Sequence, residues 1–208
     1  MRLNGYLLRS TIVGALGGLL FGFDTAVISG TTRTLVPDFH LNAKQLGLTV
    51  SSALLGAVLG AIFSGIPGEK FGRRDSLRAM ASLYVLSAIG CAFAWNLPAL
   101  MIFRFLGGLG IGGSSVLGPM YISEIAPARL RGRLVGAFQI NIVVGILLAY
   151  FSNYLIGLLH LGLAEWRWQL GISAVPAIFF LVMLFVIPRS PRWLSTQSRI
   201  PEAREVLE

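Results

Sequence analysis

Charge and cysteine are scarce in this chain. Only 12% of its 208 residues are Asp, Glu, Lys or Arg, about half the share found in soluble globular domains. Hydrophobic residues make up 55%, which excludes an ordinary water-soluble enzyme. The single cysteine, Cys91, lies in an apolar stretch, so there is no disulfide framework and no indication of redox compartment. The two histidines, His40 and His160, fall in predicted outer connections. A six-helix intramembrane serine protease needs a nucleophilic serine with an activating base inside the bundle. Ser114 and Ser115 have no such base, so neither enzyme activity nor a bound cofactor or metal is expected.

Long apolar runs are abundant. Crossing a bilayer takes about 20 apolar residues per helix, and six such runs cover roughly residues 8–30, 46–67, 77–95, 98–120, 134–158 and 168–188. The chain reads as an all-α integral membrane protein. The first run is too long for a signal-peptide core and stays as an anchor. The net charge of +8 resembles that of a nucleic-acid binder, but the distribution of the bases points to topology instead. With the N-terminus placed in the cytoplasm, thirteen Lys and Arg fall on the inner side and three, Arg33, Lys44 and Arg167, on the outer. Positive residues concentrate on the cytoplasmic side of membrane proteins. The prediction is a multi-pass protein of the cell inner or plasma membrane with both termini inside and no nucleic-acid partner. Trp95, Trp166, Trp168 and Trp193 fall at span ends, where amphipathic rings sit at the interface.

Glycines recur at four-residue spacing as Gly14, Gly18 and Gly22, as Gly56 and Gly60, and as Gly108 and Gly112. This spacing lets helix backbones approach closely in a membrane. It is equally compatible with a moving interface or a cavity wall. Gly108, Gly110 and Gly113 satisfy GxGxxG, but no strand precedes them, so the dinucleotide reading carries no weight.

Two ionisable residues lie inside spans, Asp24 in the first and Arg104 in the fourth. Each costs at least about 2.5 kcal/mol there, so each must face protein or water. Each lies about six residues from its predicted outer end, at matching depth. They can form a static pair that locks the bundle. They can also form a switch, because burial favours the neutral carboxyl while a guanidinium favours the ionised one. Arginine stays charged, so Asp24 is the titrating member. On the fifth span, Gln139, Ile146 and Asn153 recur every seven residues, with Tyr150 nearby, and Phe21 lies one turn before Asp24. Amides and an aromatic ring suit a polyhydroxylated solute. Interhelical hydrogen bonding explains the amides equally well. The loops at 65–77 and 119–133 mix both signs of charge, which suits breakable ion pairs between helix ends as well as plain surface charge.

These residues resemble the sugar porter family of the major facilitator superfamily, close to bacterial sugar/proton symporters. GGLLFGFDTAVISG (17–30) is similar to the family's first helix. Gly65, Glu69, Lys70, Gly72, Arg73 and Arg74 match its loop motif between helices two and three, with Glu69 in place of the usual Asp. RFLGGLGIGG (104–113), Pro119 with Glu124, Pro127, Arg131 and Gly132, the WRW of 166–168 and PRSPRWL (188–194) follow in the family's order. The resemblance implies the N-terminal half of a major facilitator fold, with a six-helix bundle over 1–188 and the cytoplasmic start of an interdomain linker over 189–208. It implies that Phe21 and Gln139 help form the central sugar site, to which the amide spacing adds Asn153. It implies that Asp24 and Arg104 couple a proton, the proton being the coupling ion. It also implies that Gly65, Glu69, Arg73, Arg74, Glu124, Arg131 and Arg192 belong to the cytoplasmic gate. Passive facilitators of the family tend to carry an amide at the aspartate position, so Asp24 favours symport.

Three features depart from the family pattern. Arg189 stands where the motif usually has Glu, and is expected to repel the arginines that the acid would hold. Ile146 replaces a glutamine of some proton-linked relatives. The second six-helix half is absent, and the chain stops in the helix-like AREVLE, as an N-terminal half would. The expected function is half of a proton-coupled monosaccharide carrier, whose partners are the sugar, the bilayer and either the complementary half or a second copy. The alternatives are half of a facilitative carrier, or a non-transporting sugar-binding sensor or assembly subunit.

Overall fold

The computed structural model describes residues 5–205. Arg2, residues 206–208 of the AREVLE run and the side chain of Arg204 lie outside the description. The described residues form ten α-helices, α1 (Gly5–Asp38), α2 (Ala43–Phe63), α3 (Gly65–Phe71), α4 (Arg73–Ala92), α5 (Leu97–Ile125), α6 (Arg131–Leu158), α7 (Glu165–Gly171), α8 (Ala174–Met183), α9 (Pro191–Thr196) and α10 (Ile200–Glu205). A 3-10 turn over Gly162–Ala164 precedes α7. Side-chain caps mark the starts of α2, α5 and α9. Asn42 and Gln45 form a reciprocal capping box on α2, and Asn96 accepts from the Ala99 amide at α5.

Two pairs of helices form the frame, α1 against α6 and α2 against α5, with α5 also touching α1 and α4. The glycine spacing explains both pairs. A Cβ at Gly18 or Gly22 would collide with the Phe138 or Ile142 carbonyl of α6, and one at Gly108 or Gly112 with the Ala53 or Ala57 carbonyl of α2. Where no water can be expelled, such backbone contact supplies the dispersion energy of association. The outward faces of α2 and α6 carry exposed Leu54, Leu55, Val58, Ile62, Ile140, Leu147 and Phe151.

The spans differ from their predicted forms at several places. Among the described residues, five segments can cross a membrane by length and composition, and the predicted span that falls short is α4, which opens on Arg73, Arg74, Asp75 and Arg78. At 20 residues α4 is still about 30 Å long, and it packs against α5, α7 and α8. The sixth span is broken at Ile172 and Ser173 into α7 and α8. The first runs on as helix to Asp38, where Thr31, Thr32 and Thr34 bond back to their own helix carbonyls. The equal depths expected for Asp24 and Arg104 assumed an earlier end to α1. The charged segment 65–77 is almost all helix, interrupted at Gly72. Gly72 has φ 90°, and a Cβ there would meet the Trp193 ring at 3.0 Å, so both backbone and space demand glycine. Glu124 lies in the last turn of α5 rather than in a loop.

Two of the four tryptophans leave the positions expected of interface rings. Trp95 and Trp168 are exposed, whereas Trp166 and Trp193 are buried. A buried indole needs a partner for its N–H. Trp166 Nε1 donates to Asp38 Oδ2 at 2.8 Å, and Trp193 Nε1 donates to the Glu69 carbonyl at 2.8 Å.

Candidate functional site

The first and fourth spans bring their charges together. Arg104 Nη2 stands 3.8 Å from Asp24 Oδ2, with the arginine side chain 4% exposed and the aspartate 20%. The separation is that of a loose ion pair, longer than a charge-assisted hydrogen bond. Arg104 Nε is buried and has no hydrogen-bond partner. Behind the pair, Tyr84 of α4 donates from its hydroxyl to Asp24 Oδ1 at 3.5 Å. A cavity of about 160 Å³ opens on the pair, lined by Phe21, Asp24 and Thr25 of α1, Val50, Ala53 and Leu54 of α2, and Arg104 and Gly108 of α5. Phe21 and Asp24 therefore share one cavity, as their one-turn spacing predicts.

The amides of α6 separate. Gln139 is exposed, and no hydrogen bond joins it to another described residue. Asn153 is buried and donates from Nδ2 to the Val27 carbonyl at 3.1 Å, over Gly30. It thus makes the interhelical bond that its spacing allowed alongside a sugar contact. A heptad on a straight helix drifts by about 20°, so two heptads turn Asn153 toward α1 while Gln139 still faces outward.

The gate residues divide into two groups at the arginine-rich end. Arg73 Nε pairs with Glu124 Oε1 at 3.0 Å, joining the two charged segments. That pair borders a cavity of about 500 Å³, together with Glu69, Ser123, Arg192 and Thr196. Gly65 and Arg131 line no part of it, and Arg131 is exposed without an ion-pair partner among the described residues.

The second group is built around Asp75, whose carboxylate takes Arg74 at 3.0 Å, Arg78 at 2.9 Å and Arg189 at 2.9 Å. Arg189 still repels Arg78 as expected, but Asp75 pairs with both and offsets the repulsion. Burial raises the Asp75 pKa, but the Arg74 hydrogen bond and the charges of Arg74, Arg189 and Arg78 outweigh it and hold the carboxyl below its usual 3.8. Arg74 and Arg78 also donate to the carbonyls of Ile187 and Leu184, which follow α8 and have no further helical turn to bond them. Sequence reasoning counted Asp75 among the mixed charges of 65–77 without giving it a role, and it passed over Tyr84. A tyrosine in the middle of an apolar run was the available signal, since its buried hydroxyl needs a partner. Among the described residues, no group of three His, Cys, Asp or Glu side chains is placed to hold a metal.

The family model described as "Sugar (and other) transporter" matches residues 10–208. A D-xylose-proton symporter of Escherichia coli strain K12 is 38% identical over 234 residues, covering 98% of this chain and 48% of the relative. The glucose transporter GlcP of Staphylococcus epidermidis is 41% identical over 208 residues, covering 100% and 45%. Among solved structures, the partially occluded inward open conformation of the xylose transporter XylE from E. coli matches with a TM-score of 0.93 at 37% identity, covering 98% and 53%. The chain thus spans about half the length of these relatives. It belongs to the family of sugar (and other) transporters, as an all-helical membrane protein similar to the N-terminal half of the major facilitator fold.

Proposed function

We propose that this chain is half of a proton-coupled monosaccharide carrier that works by alternating access with a complementary six-helix half. One observation carries the reading. The acid within the first span, Asp24, stands 3.8 Å from Arg104 at the edge of a cavity shared with Phe21. A carboxylate held loosely beside a fixed guanidinium can be ionised and paired, or protonated and released. Each proton moving inward draws about 2.3 kcal/mol from a 100 mV potential, enough to concentrate a neutral solute about 50-fold.

Phe21 and Gln139 are the sugar contacts of this half, and Asn153 holds α6 in place behind them. The arginine-rich end is cytoplasmic, as are both termini. There Arg73, Glu124, Glu69 and Arg192 form the inner gate, with Arg74 beside them in the Asp75 cluster. Gly65 begins the segment at the junction of α2 and α3, and Arg131 awaits a partner on the complementary half. Residues 1–188 form the bundle, and 189–208 begin the linker between halves. The relatives named for xylose-proton symport and glucose transport support this assignment, and they favour carriage of a solute over catalysis.

The test uses the carrier completed with its second half in proteoliposomes. Wild type is expected to accumulate sugar against its gradient when the lumen is alkaline. Asp24→Asn should abolish accumulation while preserving sugar exchange. Accumulation that survives in Asp24→Asn overturns the reading. Equilibration without accumulation in the wild type would make the carrier a facilitator, and binding without flux would make it a sensor.

A further inference from the structure

A coupling carboxylate needs a partner in both of its protonation states, and Arg104 can serve only one. Guanidinium has five donors and no acceptor, so it satisfies an ionised Asp24 and leaves the O–H of a neutral one without a partner. A buried polar group left so costs about 1–3 kcal/mol. The other residues of the cavity offer little. Val50, Ala53, Leu54 and Ala57 of α2 and Ile111 of α5 are apolar, and Thr25, whose oxygen could accept, gives its hydrogen to the Phe21 carbonyl at 2.7 Å and makes no hydrogen bond to Asp24. The titratable groups near Asp24 are Arg104 on α5 and Tyr84 and Cys91 on α4.

Tyr84 supplies what the arginine lacks. Tyr84 is 2% exposed, and its ring would stand 3.6 Å from a Cβ at Gly107 of α5. Its hydroxyl reaches Asp24 Oδ1 at 3.5 Å. Ser173, at the break between α7 and α8, has its side chain beside that hydroxyl. Ser173 gives its own hydrogen to the Leu170 carbonyl, so its oxygen is free to accept.

We infer that Tyr84, backed by Ser173, is the positioning residue that holds Asp24 in both protonation states. With Asp24 ionised, the Tyr84 hydrogen points to Oδ1 and Arg104 faces Oδ2. With Asp24 protonated, the acid donates from Oδ1 to the tyrosine oxygen, and the Tyr84 hydrogen turns to Ser173. Only the proton on Asp24 is gained or lost. The break in the sixth span therefore places an acceptor at the coupling site. This inference rests on Asp24 being the titrating group.

Infrared difference spectra of this chain in lipid nanodiscs, recorded against pH, test both levels. Asp24→Asn should remove a protonated-carboxyl band. In Tyr84→Phe the band should move to higher frequency, because the acid O–H has lost its acceptor. The pH at which it appears should rise by about one unit, because the ionised form has lost a donor. Ser173→Ala should lower that pH, since the tyrosine hydrogen then has nowhere to turn, and it decides the matter if Tyr84→Phe does not fold. A band that persists in Asp24→Asn overturns the underlying reading. A band removed by Asp24→Asn but unchanged in frequency and midpoint by Tyr84→Phe overturns the role of Tyr84 alone.

Discussion

The charges at the arginine-rich end and those in the middle of the bundle obey different rules. At the end, Asp75 accepts three arginines at 2.9 to 3.0 Å, and two of those arginines also bond the carbonyls following α8. The side chains there are 18 to 32% exposed, so water shares the cost of holding charge. In the middle, Arg104 is 4% exposed, one of its nitrogens has no partner, and its acid stands 3.8 Å away. Short, well-formed ion pairs hold their partners firmly, whereas a buried pair without ideal geometry recovers little of its desolvation cost. The end has the short contacts that hold helices together, and under the proposed coupling the middle is where a proton comes and goes.

The frame that serves both regions is the place to expect the largest effect. Gly112→Leu drives a side chain into the Ala57 carbonyl, separates α2 from α5 and widens the cavity on Asp24. A loss of more than about 4 kcal/mol is expected in a sodium dodecyl sulfate unfolding titration, enough to leave little folded chain. A smaller loss would mean that the two backbones can separate without unfolding.

Asp75→Asn sharpens the comparison. It leaves three arginines facing one another and should cost about 2 kcal/mol in the same titration. Asp24→Asn removes a carboxylate whose contacts are long, 3.8 Å to Arg104 and 3.5 Å to Tyr84, and should cost less. If the two variants lose equal stability, the contrast between clamp and loose pair fails.

Acid gives a finer probe of the same cluster. The folded Asp75 carboxyl is held below its unfolded value of 3.8, so its contribution is complete above that value and fades as pH falls through the lower folded one. Stability should therefore drop below about pH 4 in the wild type, with less of a drop in Asp75→Asn. The smallest effect belongs to Arg189→Glu. Arg74 and Arg78 remain to neutralise Asp75 and the new acid, so the change should stay within about 1 kcal/mol. A larger loss would show that Arg189 acts through more than its charge, for example through its place over the Trp193 ring.

Much of this was legible along the chain. Apolar length marked the spans, and four-residue glycine spacing marked the surfaces where α1 meets α6 and α2 meets α5. Asp24 and Arg104 could be matched as the two ionisable residues inside the spans, although the depth argument placed the end of α1 too early. Other features were ambiguous or hidden. Asn153 and Gln139 share a heptad position, yet one is buried against α1 and the other exposed. Trp166 and Trp193 have the same composition signal as Trp95 and Trp168, but they sit inside the fold because Asp38 and the Glu69 carbonyl await their N–H groups.

Hydropathy, helical length and the identity of costly residues are properties of a segment and its solvent, and the amino-acid order alone settles them. Which acid lies opposite Arg189, and which hydroxyl lies behind Asp24, depends on how each helix is rotated and where it crosses its neighbour. Those angles are set jointly by all the packed surfaces. Tyr84, Asp75 and Gly72 therefore acquired their meaning only once α4 was seated between α5, α8 and Trp193.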